Sequence, residues 1–137
     1  YTVTCTDIIP KALEELAVEG FETSQFDFRD KPKEEWLNNY DGFFANGVLV
    51  HASTDVFLKI ATNISKILKR NGVATFSLKT GIGEEITAEK MDALRYFKYY
   101  DEPEIRDLLS GLPFEIISIT RIDHNKWLHV IIKKKSF

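Results

Sequence analysis

The chain has 137 residues, 44% of them hydrophobic, 28% charged and 12% aromatic, which is the balance of one folded domain and excludes a disordered or fibrous segment. A chain of this length buries about two-thirds of its unfolded surface, so it needs neither disulfide nor structural metal, and the lone Cys5 can build neither a disulfide framework nor a thiolate metal site. A net charge of -3 offers no field for nucleic acid or anionic membrane, no apolar run nears the about 20 residues of a bilayer span, and residues 1–7 lack the pattern of a secretory signal, so a cytoplasmic setting is expected.

Residues 1–5 alternate and are rich in β-branched side chains, which predicts a first strand, and Pro10 opens a helix whose Leu13, Leu16 and Ala17 keep helical spacing up to Gly20. Residues 21–28 read as a second strand, ended by Asp27, Arg29, Asp30 and Pro32, with a short helix over 34–37. Residues 42–50 are apolar without alternation before Asn46, as in a parallel strand covered on both faces. Over 54–69, Val56, Phe57, Ile60, Ala61, Ile64, Ile67 and Leu68 form one apolar stripe between a Thr54 cap and an Asn71-Gly72 terminator.

Residues 73–78 are the next buried strand, and the polar stretch 79–89, with Gly81 and Gly83, reads as a loop. Asp101-Glu-Pro-Glu104 is a capping pattern for a helix carrying Ile105, Leu108, Leu109 and Leu112. Strands over 114–122 and 126–133 flank the tight connection Asp123-His124-Asn125 and so pair antiparallel. The basic run Lys133, Lys134 and Lys135 reads as a solvated tail. The order predicts an α/β fold, a Rossmann-like, doubly wound, mostly parallel sheet ending in an antiparallel β-hairpin.

Five segments in sequence carry a family resemblance. "VTCTD" before a helix, "SQFDF", "YDGFFANGVLVHAS", "ILKRNGVATFSLKTGIG" and "KWLHVIIKKK" resemble the second, third, fourth, fifth and last strands of a class I S-adenosylmethionine-dependent methyltransferase of the small-molecule type. The resemblance implies S-adenosyl-L-methionine as cofactor and a small molecule as methyl acceptor, with no metal, nucleic acid or membrane. It places Asp7 at the ribose and Asp27 at the adenine amine, since carboxylates at strand ends accept from hydroxyls and amines. Ile8 would cover the adenine face, the backbone N–H of Phe28 would meet a ring nitrogen, and Asn46 would lie beside the methionine portion.

In the same frame His51 is compatible with general-base work on the acceptor, and Lys79, Arg95 and Tyr96 would surround it, Arg95 with Tyr96 facing the substrate. Each has a plainer role open to it: Asp7 as a helix cap, Asp27 as a turn residue, His51 as a loop anchor. Phe97 reads as core, and His124 and His129 as structural.

The resemblance also implies a first strand and a glycine-rich turn ahead of Tyr1, and no G-x-G-x-G occurs anywhere in the chain. Residues 1–137 are therefore expected to be a single methyltransferase-like domain, truncated at the N-terminus by on the order of 30 residues, one strand-helix unit, with a sheet edge open to homodimer formation. Two alternatives stay open: a remnant or interaction module without useful cofactor binding, and a nicotinamide-dependent oxidoreductase, in which Asp7 would also serve a ribose.

Overall fold

The computed structural model describes residues 1–87 and 94–136. Two compact units make up the fold, Tyr1–Lys31 and Pro32–Phe137. The first consists of strand β1 (Thr4–Asp7), helix α1 (Pro10–Val18) and strand β2 (Glu22–Gln25), with β1 and β2 parallel and Asp7 opposite Gln25. Pro10 starts the helix because its fixed φ suits a first turn and its missing N–H is not needed there. Gly20, at φ +93°, allows the chain to turn back into β2.

The second unit holds β3 (Tyr40–Ala45), α2 (Thr54–Ile67), β4 (Leu68–Thr80), β5 (Glu84–Thr87), β6 (Arg95–Tyr100), α3 (Glu102–Ser110), β7 (Phe114–Ile122) and β8 (Trp127–Lys134). Short 3-10 turns over Glu34–Trp36 and Leu49–His51 precede β3 and α2. β4 is the hub. It pairs parallel with β3 over Val73 to Phe76, parallel with β6 at Lys79 and Thr80, and antiparallel with β8 from Val73 to Lys79. A strand has only two edges, so β6 takes up the edge of β4 where β3 leaves it. β5 and β7 then extend the sheet antiparallel to β6 and β8. Parallel pairing in the middle and the closing β7–β8 hairpin match the architecture expected from the sequence.

The period of two along β4 divides the sheet into two unlike faces. Ala74, Phe76 and Leu78 stand opposite Ile132, Val130 and Leu128, all of them buried to within 2% of full. Phe57 of α2 lies on this side, its ring 5.8 Å from that of Phe76 and 5.6 Å from that of Tyr100. This is the core, and the α2 stripe covers it. On the other face Thr75 hydrogen-bonds His129 at 2.7 Å, and Ser77 and Lys79 follow in the same register. That face carries the candidate chemistry.

Several local expectations change. Strand β1 begins at Thr4 and runs to Asp7, not over residues 1–5. β3 stops at Ala45 because Asn46 and Gly47, the latter at φ +71°, lead into the 3-10 turn; it is not covered on both faces, since Phe44 is 70% exposed. Ser53, not Thr54, caps α2, its hydroxyl accepting from the Val56 N–H. Residues 79–89 do not form one loop: a turn at Gly81 and Gly83 leads into β5, and residues 88 and 89 lie outside the described residues. Arg95 to Tyr100, to which the sequence assigned no element, is strand β6.

The terminal lysines are not a solvated tail either. Lys133 sits in the ladder opposite Val73 and Glu115, and Lys134 Nζ donates to the Leu68 carbonyl at 2.7 Å and to Asn38 Oδ1 at 3.1 Å. It thereby satisfies a carbonyl at the end of α2. Asp101 caps α3 as expected, with Oδ1 2.9 Å from the Glu104 nitrogen.

Candidate functional site

Strand register assembles a cleft in the second unit. Trp127 of β8, Lys79 of β4 and Tyr99 of β6 are register partners in one row, and paired residues point to the same side of a sheet. The same parity on β6 brings up Phe97 and Arg95, and their β5 partners Glu85 and Thr87. These residues, with Gly47, Val50 and His51 from the segment after β3, enclose about 250 Å³. Gly81 allows the close approach at one wall, because a Cβ there would sit 3.0 Å from the Tyr99 Cβ.

Two cations share one aromatic ring in this cleft. Lys79 Nζ is 4.3 Å from the Phe97 ring centre and 5.7 Å from that of Trp127, and Arg95 Cζ is 5.3 Å from Phe97, all within cation–π range. Glu85, the one carboxylate of the lining, accepts the Tyr99 hydroxyl at 2.5 Å.

His51 is held from both ring nitrogens. Its Nδ1 is 2.9 Å from the Tyr96 carbonyl oxygen and its Nε2 is 2.9 Å from Arg95 Nη2. A carbonyl only accepts and a guanidinium only donates, so the ring is the neutral tautomer with its proton on Nδ1. His51 also packs against Phe97 at 4.7 Å between ring centres.

Strand alternation separates Arg95 from Tyr96, which were expected side by side. Arg95 faces the cleft, whereas the Tyr96 side chain is on the α2 side of β6, donating its hydroxyl to Glu84 Oε2 at 2.6 Å. That hydrogen bond is the leading cause that pushes the Tyr96 phenol up to about 12. Tyr96 reaches the cleft through its backbone carbonyl alone. Tyr100, on the same side of β6 and fully buried, is also pushed up to about 12, chiefly by desolvation. No hydrogen bond of ordinary geometry reaches its hydroxyl or that of Thr80.

At the exit of β3, Ser77 joins two residues of the chain's turn. Its Oγ donates to Asn46 Oδ1 at 2.7 Å and accepts from the Gly47 N–H at 2.8 Å. Ser77 is 3% exposed, so this arrangement is fixed in position. Asn46, Ser77 and His129 border a smaller hollow of about 190 Å³.

Asp7 is the last residue of β1, and Asp27 lies past the carboxyl end of β2. Asp7 Oδ1 accepts from the Ile9 N–H at 2.9 Å, the local turn role open to it from the sequence. Asp27 is engaged by Arg29 through the backbone N–H and the guanidinium, with contacts of 2.5 to 3.0 Å, and this pair raises the Arg29 guanidinium further above its ordinary value. Ile8 is exposed, and Phe28 packs edge-on to Phe26 at 4.9 Å.

The cleft thus contains three of the residues singled out from the sequence, His51, Lys79 and Arg95. Sequence reasoning missed Trp127, Tyr99, Glu85 and Ser77, and assigned Phe97 to the core alone. Their common signal is strand parity, which becomes legible only once the β4–β6 and β4–β8 registers are known.

Solved structures with the same arrangement decide the fold. A didemethyltoxoflavin N1-methyltransferase from Burkholderia thailandensis, with didemethyltoxoflavin and S-adenosylhomocysteine bound, superposes with a TM-score of 0.75 at 19% identity, over 98% of this chain and 62% of its own. A methyltransferase from Methanosarcina mazei gives 0.80 at 14% identity, over 100% of this chain and 84% of its own. The fold is that of the class I S-adenosylmethionine-dependent methyltransferases. DhpI in complex with S-adenosylhomocysteine shares this methyltransferase fold, with a TM-score of 0.76 at 18% identity over 98% of this chain and 67% of its own. The chain therefore spans less than two-thirds of the toxoflavin enzyme's length. No family model and no curated protein sequence matches it. No helix among the described residues is long and apolar enough to cross a membrane.

Proposed function

We propose that the protein takes part in methyl transfer from S-adenosyl-L-methionine to a small-molecule acceptor. The observation that carries this is the superposition of 98 to 100% of the chain on methyltransferases, two of which hold S-adenosylhomocysteine. The acceptors present suit the adenosine part. Asp7 has one carboxylate oxygen in a local turn, and a carboxylate offers about four lone-pair sites, so the ribose hydroxyls and adenine amine have partners in Asp7 and Asp27. Ile8 and Phe28 would contribute apolar surface and a backbone N–H, and Asn46, oriented by Ser77, is the group proposed for the methionine end.

The bound cofactor supplies an activated methyl group on a sulfonium, so the protein's task is to place the acceptor in line with it and exclude water. The cleft of His51, Lys79 and Arg95 is the proposed acceptor site. His51 is the proposed base, with one condition set by geometry: its Nε2 lone pair accepts from Arg95, so taking a proton there requires that hydrogen bond to open. Tyr96 supports the site through the carbonyl that holds His51 Nδ1.

The proposal extends to a cytoplasmic setting, consistent with a single free thiol, and to a homodimer through the edge of β3. One observation favours a second reading, a methyltransferase-like module that does not bind the cofactor: Arg29 already engages both carboxylate oxygens of Asp27. Equilibrium dialysis of the chain against labelled S-adenosylmethionine and against NAD separates the three possibilities. Retention of S-adenosylmethionine alone is the expected outcome; retention of NAD alone, or of neither, overturns it.

A further inference from the structure

We infer that the cleft between β4, β5 and β6 recognises an anionic oxygen group on its ligand, a carboxylate, phosphonate or phosphate, through Lys79 and Arg95; this rests on the cleft being the acceptor site of the proposed methyltransferase. The two cations lie against one ring, that of Phe97. Among the described residues the ion pairs are Arg29–Asp27, Lys69–Asp41, Lys98–Glu104 and Arg106–Glu102, none of which involves Lys79 or Arg95. The one carboxylate of the lining, Glu85, accepts the Tyr99 hydroxyl and is not among these ion pairs.

Two like charges held together with no ion-pair partner among the described residues repel each other, and a bound anion removes that repulsion while gaining charge-assisted hydrogen bonds. Lys79 supplies a compact charge with three donors. Arg95 supplies five N–H donors in a planar fork, and its hydrogen bond to His51 leaves donors for an incoming oxygen. Both side chains are partly shielded from solvent, where such interactions are screened less than at the surface.

The remaining walls define the rest of the ligand. Trp127, Tyr99 and Phe97 give apolar and aromatic surface, and the enclosed 250 Å³ falls just below the about 300 Å³ at which small-molecule sites ordinarily start. A compact acid bearing a planar or aliphatic body fits this description, and a large polymeric acceptor does not.

The test is a titration of the isotope-labelled chain, saturated with S-adenosylhomocysteine, with benzoate, phenylphosphonate and neutral benzamide, following the Trp127 indole N–H by NMR. Benzoate or phenylphosphonate is expected to shift that resonance saturably at concentrations where benzamide does not, and the stronger of the two identifies the preferred anion. Lys79→Gln and Arg95→Gln should each weaken the anion by about tenfold or more, the loss of one charged hydrogen bond. Equal response to benzamide, no response to either anion, or undiminished binding in a Lys79→Gln/Arg95→Gln double variant overturns the inference. Calorimetry with S-adenosylhomocysteine on the same samples keeps the two claims apart. Cofactor binding without an anion response sinks only the anion site, and an anion response without cofactor binding sinks only the methyltransferase reading.

Discussion

Arg95 Nη2 and His51 Nε2 lie 2.9 Å apart, on the opposite side of the imidazole from the 2.9 Å contact between Nδ1 and the Tyr96 carbonyl. The ring is thereby fixed in the Nδ1–H tautomer, and the imidazole is linked directly to a cation of the same cleft. Long-range nitrogen–proton NMR on labelled protein should show His51 protonated on Nδ1 at alkaline pH. In Arg95→Gln the Nε2 resonance should move while the Nδ1 proton remains, because the Tyr96 carbonyl is unchanged. An Nε2–H tautomer in the unsubstituted chain contradicts the geometry.

Ser77→Ala removes a buried hydroxyl that both donates to Asn46 and accepts from the Gly47 N–H. The expected cost is about 1 to 3 kcal/mol, the range for leaving a buried partner unsatisfied, measured by urea denaturation. Cofactor affinity should fall as well if Asn46 serves the methionine end. A variant as stable as the parent would show that the turn after β3 does not depend on this residue.

The two perturbed tyrosines predict behaviour at alkaline pH. Tyr96 and Tyr100 are both raised from 10.0 to about 12 in the folded protein, so between those values the unfolded chain has lost protons that the folded chain keeps. Stability is then fully present below about pH 10 and falls as pH rises toward 12, by up to about 1.4 kcal/mol per pH unit for the buried Tyr100. Tyr96 adds less, because water screens its half-exposed hydroxyl. Denaturation midpoints from pH 9 to 12 should show a shallower decline in Tyr100→Phe; identical slopes contradict the assignment.

β3 pairs with β4 alone among the described residues, and its Phe44 is 70% exposed. An edge of this kind recruits another strand, so sedimentation velocity should show a concentration-dependent dimer. Phe44→Lys should shift the chain to monomer. A monomer at all concentrations removes the homodimer from the proposal.

The parts legible in the sequence are those governed by local rules. Pro10, the Asp101 cap and the Phe57 to Ile67 stripe fix α1, α3 and α2 because propensity and capping act within a few residues. The Asp123-His124-Asn125 turn, with φ of 51°, 54° and 65°, sets the hairpin for the same reason. The cleft depended on long-range register. Lys79 and Trp127 are 48 residues apart in the chain and meet only because β4 and β8 pair, and β5 was hidden because Glu84 and Glu85 make it polar, a property shared by loops and exposed edge strands. Arg95 and Tyr96 were grouped as neighbours in sequence, although alternation in a strand puts consecutive side chains on opposite faces.

Isothermal titration of S-adenosylhomocysteine into the chain and into Asp7→Ala and Asp27→Ala, each checked for fold by circular dichroism, tests the methyltransferase proposal most directly. Binding to the parent chain is predicted, with affinity lowered about tenfold to a hundredfold in each variant, corresponding to about 1.5 to 3 kcal/mol for a hydrogen bond to a charged acceptor. Absence of binding to the parent, or full affinity in both folded variants, contradicts it.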